Sequence, residues 1–201
     1  RDALPTDMEI RMALQQLVGT EFASDASDVP SAFTMHGVEA DDEIDEASDR
    51  RFDCYLALLK PLESVVPDRE LHPEGDLLYH SLQVFELAKE AQPWDEEFLT
   101  AALLHDVGRG IDPRDAHQAG IAAIHSIVSE RTLWFVQNLP LQHRASEGTI
   151  GMRARRRLEQ HEDGELLRLL AACDSEGRVP GRRTGSLEDA IQWLRQVTDE
   201  W

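Results

Sequence analysis

An all-α fold is what this sequence predicts, and three observations lead there. From Phe52 onward, apolar residues recur three and four positions apart, the period of a helix face. Prolines, glycines and capping residues cut that pattern into segments of helix length. No stretch alternates apolar and polar residues for long enough to build a sheet.

The elements follow in order. Met8 to Val18 (MEIRMALQQLV) reads as a first helix. Glu21 to Arg50 then passes through Ser, Asp and Pro into the acidic run EADDEIDEASD. Such a run reads as a solvated, loop-like surface, with an acidic interaction arm as the alternative. The chain therefore divides into an N-terminal helix and acidic extension, 1–50, and a helical domain, 51–201.

Phe52 to Leu62 reads as a short helix closed by Pro61 and Pro67. Leu77 to Ala91 is stronger, with Leu77, His80, Val84 and Leu87 at helical spacing. Pro93 and Asp95 open the next helix, and Glu96 and Glu97 suit its positive N-terminal end. It runs through FLTAALLHD and stops at Gly108 and Gly110. Ala116 to Val128 carries Ile121, Ile124 and Val128 on one face. Arg131 to Leu139 is expected to end at Pro140, which leaves His143 in a loop. Arg153 to Gln160 and Glu165 to Cys173 are two more. Ser186 with Asp189 resembles a capping pair for a last helix reaching about Val197.

Composition narrows the function classes. Hydrophobic residues make up 41% and charged residues 29%, the balance of an ordinary globular protein. No apolar run approaches bilayer length, so no membrane span is expected. The net charge of −19 would repel a long phosphate backbone, so long nucleic acid is not an expected partner. A small phosphorylated substrate remains open where positive charge is concentrated locally. Cys54 and Cys173 lie far apart and form no CxxC pattern, which points to buried thiols and a reducing, cytoplasmic compartment. Oligomeric state is not legible.

The chemistry starts at His105 and Asp106, in AALLHDVGRG. Ala101 to Leu104 would hold their helix inside a core, and the glycines would turn the chain away, leaving the pair at the helix end. The alternative is a capping Asp beside a satisfied His. His80 lies on the apolar face of its own helix, where an imidazole is costly unless bonded. Asp174 follows LLRLLAAC, another helix with a buried look, and a buried carboxylate needs a cation or donors. Three such residues on three apolar helices are explained together by one metal at their convergence. Imidazole and carboxylate together accept Fe, Mn, Ni, Zn or Mg.

The order His80, His105-Asp106, Asp174 resembles the HD superfamily. The strings HPEGDLLYHSLQVFELA (His72 to Ala88), AALLHDVGRGIDP (Ala101 to Pro113) and LLRLLAACDSEGR (Leu166 to Arg178) are similar to the HD domain of bacterial CCA-adding tRNA nucleotidyltransferases. The resemblance covers about residues 70 to 180. It implies that the helical domain behind the acidic N-terminal extension is an HD-type bundle, and a metal-dependent phosphohydrolase. His80, His105, Asp106 and Asp174 would be its metal ligands, with Asp106 and Arg109 at the reaction centre. No nucleotidyltransferase head is visible. Arg109 stands where HD proteins commonly carry Lys, keeping the charge while changing the geometry.

HD proteins with two metals add histidines at about the chain positions of His117 and His143. A second ion there would make Asp106 the bridge; otherwise the two line the cleft. His72 precedes Pro73 and could approach the cleft. Arg153, Arg155, Arg156 and Arg157 form one basic cluster, and Arg178, Arg182 and Arg183 another. They read either as an electropositive rim, with Arg109, Arg153 and Arg178 as substrate contacts, or as solvated helix surface. The expected function is a phosphohydrolase on a phosphomonoester or phosphodiester of nucleotide-like type. The alternatives are an HD-type di-iron oxygenase, which the string LYHSLQ also resembles, and a non-catalytic metal-binding regulatory module.

Overall fold

A computed structural model describes residues 50–67, 70 and 72–199. The Met8–Val18 helix and the acidic run before Arg50 lie outside the described residues. Within them the chain is all-α, with eight α-helices, two 3-10 turns and no strand.

The first helix, α1 (50–59), buries Phe52, Tyr55 and Leu59 and passes into a 3-10 turn, Lys60–Ser64, as Pro61 arrives. α2 (Leu77–Ala91) is capped by Asp76, whose side chain accepts from Tyr79 N at 2.8 Å. Its inner stripe is Leu77, His80, Ser81, Val84, Phe85 and Ala88. α3 (Glu96–Leu104) is capped by Asp95, which accepts from Phe98 N. Every residue from Phe98 to Leu104 is buried, so α3 is the central rod of the domain. α2 packs on both α3 and α7 (Gly164–Glu176). α5 (Glu130–Ser146) also packs on α3 and α7. α6 (Met152–Glu159) is an exposed basic helix that buries only Leu158. α8 (Leu187–Asp199) closes the domain through Leu187, Ala190, Ile191, Leu194 and Val197.

Two local features position the site. The 3-10 turn Val107–Gly110 lies directly on α4 (Ala116–Ile124). A Cβ at Gly108 would collide with the Ala116 carbonyl and the Gly120 amide, so only glycine permits this approach. The approach holds Arg109 and His117 on one wall. At the far end of the helices, Arg131 at the start of α5 donates to both oxygens of Asp95 (2.7 and 2.8 Å), to Glu97 (3.0 Å) and to Asp163 (2.9 Å). Asp95 and Asp163 immediately precede α3 and α7, so one guanidinium pins the three helices whose other ends carry His105, His143 and Asp174.

The structure corrects two helix ends: the helix expected to reach Val128 stops at Ile124, and the larger change is at Pro140. Pro140 does not end the helix that begins near Arg131; α5 runs on to Ser146. An interior proline loses one backbone hydrogen bond and costs about 3 kcal/mol. Burying Phe135, Val136 and Leu139 offsets this at about 2 kcal/mol each. His143 is consequently on a helix rather than in a loop. Among the described residues, no helix is long and apolar enough to cross a membrane.

Candidate metal centre

His105 sits at the C-terminal cap of α3, where its Nδ1–H donates to the Ala102 carbonyl at 2.9 Å. A carbonyl only accepts, so the proton is on Nδ1 and the lone pair is on Nε2. That Nε2 is buried and has no hydrogen-bond partner. It points at two carboxylates, Asp106 Oδ2 at 3.8 Å and Asp174 Oδ1 at 3.9 Å.

His80 is fully buried on α2 and obeys the same logic. Its Nδ1–H faces the Gly177 carbonyl at 2.9 Å, so Nε2 is turned to Asp174 Oδ1 at 3.1 Å. Gly177 can approach this closely because a Cβ there would press on Val84. Asp174 falls on the inner stripe of α7 with Leu167, Leu170 and Ala171. The ligand atoms of His80, His105 and Asp174 lie within 4.8 Å of one another. Two imidazole nitrogens and carboxylate oxygens around a partnerless buried lone pair fit a divalent transition ion. The convergence expected of His80, His105 and Asp174 is therefore present, with Asp106 beside His105.

The electrostatics agree. Burial opposes ionisation of Asp174, but hydrogen bonds from His143 and His80 overcome it and hold the carboxyl well below the usual carboxylate range. Burial pulls the His80 pKa down, and the Asp174 hydrogen bond and charge more than reverse this, leaving it raised. His143 Nε2 donates to Asp174 Oδ2 at 2.7 Å, and Arg178 donates to Asp174 Oδ1 at 3.1 Å. Arg109 Nε donates to Asp106 Oδ1 at 2.9 Å. Cys173, next to Asp174, is not a nucleophile: burial pushes its thiol up to about 11.

The cluster opens on a cleft of about 920 Å³. His105, Asp106, Arg109, His117, His143, Asp174 and Arg178 all line it. Arg153 does not: it is exposed on α6 and is not among the lining residues, because α6 turns its basic face to solvent. The arginine that sequence reasoning missed is Arg144, beside His143 on α5. Its signal was hidden by the expected break at Pro140. Sequence reasoning also missed Glu74. The Glu74 side chain is fully buried, and its Oε1 lies 2.9 Å from His72 Nδ1 and 3.1 Å from His80 Nδ1. His72, expected only to approach the cleft, is buried there, and burial lowers its pKa despite Glu74.

Comparison with known proteins adds an independent line. Residues 77–176 match the family described as HD domain, a segment that begins with α2 and ends with α7. This segment is an HD domain. The HD domain thus spans every residue of the converging cluster. Over 160 residues the chain is 27% identical to a "Multifunctional CCA protein" of Stenotrophomonas maltophilia (strain K279a), covering 74% of this chain and 35% of that one. Over 130 residues it is 28% identical to a protein of the same description from strain R551-3, covering 59% of this chain and 30% of that one. The chain thus spans about a third of the length of these relatives. HD domains are generally those of metal-dependent hydrolases, and the cluster here has groups able to hold a metal.

Proposed function

We propose that this HD domain is a metal-dependent phosphohydrolase acting on a small phosphomonoester or phosphodiester of nucleotide-like type. The observation that carries the reading is His105: a buried imidazole lone pair, without a partner, aimed between two carboxylates at the floor of a cleft lined by arginines.

In this reading His80, His105, Asp106 and Asp174 hold one divalent ion. When bound, such an ion supplies Lewis acidity, polarising a phosphoryl oxygen and lowering the pKa of water from about 16 toward about 7. Asp106 and Asp174 also anchor Arg109 and Arg178, which line the cleft and would meet the non-reacting phosphate oxygens. Arg144 extends that positive wall. His143 lines the cleft with its Nε2 on Asp174 Oδ2 and would contact the substrate beside the ion. The strongly acidic remainder of the chain supports a small substrate over a long nucleic acid.

The test is phosphate or nitrophenol release by protein loaded in turn with Mn, Ni, Zn, Fe or Mg. Substrates would be nitrophenyl phosphate mono- and diesters and nucleoside monophosphates. Chelator-sensitive turnover is expected. Stoichiometric metal binding with no turnover on any ester would overturn the hydrolase reading in favour of a regulatory module.

A further inference from the structure

His72-Pro73-Glu74, just before α2, has no place in the ligand set, yet it is buried against it. His72 is 3% exposed, and the Glu74 side chain is fully enclosed. A buried carboxylate must be compensated. Here two imidazoles meet at Oε1: His72 Nδ1–H donates to it at 2.9 Å, and His80 Nδ1, whose proton is donated to the Gly177 carbonyl, lies 3.1 Å away. The His72 and His80 rings lie edge to face with centroids 5.2 Å apart. On the other side of His72, Arg109 Nη1 reaches Nε2 at 3.5 Å. Guanidinium only donates, so His72 Nε2 accepts and its proton is on Nδ1, as the contact to Glu74 requires. A connected path results: Asp106, Arg109, His72, Glu74, His80, Asp174.

The trio His72, Glu74, His80 has the spacing of a cation site in its own right. The His80 nitrogen argues otherwise. Its Nδ1 faces the Gly177 carbonyl at 2.9 Å, and that contact demands a proton on Nδ1, leaving no lone pair there for an ion.

We propose that Glu74 is a positioning residue of the metal centre. Its carboxylate charge lies 3.1 Å from His80 Nδ1 and favours a proton there, the tautomer that turns Nε2 toward Asp174, and through His72 it holds Arg109 over Asp106. This rests on the metal-centre reading given above. An anionic acceptor behind a histidine orients the ring and raises its basicity toward a cation, and removing such a partner weakens metal affinity 10- to 100-fold. Gly177 alone supplies a neutral acceptor; Glu74 adds the charge.

Two measurements on the full chain test this, using Glu74→Gln, which keeps size, and Glu74→Ala. The first is Co(II) and Zn(II) affinity by competition titration. Glu74→Ala is expected to bind one ion per site still, 10- to 100-fold more weakly, with Glu74→Gln about 10-fold weaker because its amide accepts but carries no charge. The second is the ring-nitrogen NMR spectrum of ion-free protein. The wild type should show Nδ1 protonated in both His80 and His72, and Glu74→Ala should lose that fixed pattern for His72. Affinities within twofold of wild type in both folded variants, with unchanged ring-nitrogen signals, overturn the proposal. A wild type that binds neither ion sinks the metal-centre reading instead, while the NMR pattern still decides whether Glu74 sets the histidine tautomers.

Discussion

His80 and Asp174 meet at 3.1 Å across the packing of α2 against α7, although 94 residues separate them in the chain. In the ion-free protein this contact is a hydrogen bond that a proton on His80 Nε2 would make to the carboxylate. The proton on His80 Nε2 occupies the direction in which an ion would be held, so proton and metal compete for one lone pair.

That competition has a pH signature. The raised His80 pKa contributes stability to ion-free protein that is full below 6.5, its ordinary value, and is lost as pH rises through the folded value. The depressed Asp174 pKa contributes stability that is present above 3.8 and is lost as pH falls through its folded value. The pair's contribution is therefore greatest between 3.8 and 6.5. Thermal unfolding in chelator across pH 3 to 9 should show a feature in that window that Asp174→Asn removes. Metal affinity should move oppositely, rising with pH. A metal affinity independent of pH between about 5 and 8 would contradict the shared lone pair.

His105→Ala and Asp106→Ala should each abolish metal binding while leaving far-UV circular dichroism helical. For His105 the fold loses the Nδ1–H bond to the Ala102 carbonyl, while Nε2 has no partner to forfeit. Elemental analysis with the dichroism spectrum checks both halves. Full metal content in either variant would sink the ligand assignment.

The double substitution His117→Ala with His143→Ala separates one ion from two. His143 Nε2 is already engaged by Asp174 Oδ2, and it falls outside the compact group formed by His80, His105 and Asp174. We expect one ion per chain before and after the change, with activity reduced through weaker substrate or transition-state binding. Loss of one ion of two would establish a dinuclear centre and revive the di-iron oxygenase, which an electron paramagnetic resonance signal of a mixed-valent iron pair would identify.

Arg131→Met should destabilise the fold by about 2 kcal/mol, because Asp95, Glu97 and Asp163 lose their shared cation at a half-buried junction. The change lies at the far ends of α3, α5 and α7, so the metal dissociation constant should move less than the urea midpoint. A midpoint within error of wild type would show that the network does not tie the helices together.

How much of this was legible in the sequence follows from the range of each interaction. Helical period and capping residues are local, so Asp95 marks α3 where its capping contact is found, and periodicity alone marks α2. His80, His105, Asp106 and Asp174 were legible because each is polar where the local pattern demands an apolar or capping residue. By itself, the sequence determined an all-α domain and the residue types available to a metal. Glu74 gave no such signal, since a Glu near a helix start is ordinary and its burial is a property of the packed domain. Helix α5 continues through Pro140 because tertiary burial of Phe135, Val136 and Leu139 outweighs a local penalty that sequence rules weigh alone. Only the tertiary structure decided that Arg144 rather than Arg153 reaches the cleft, and which nitrogen of His80 and His105 faces it. Those choices rest on carbonyls and carboxylates brought close by packing, at directions that no spacing along the chain encodes.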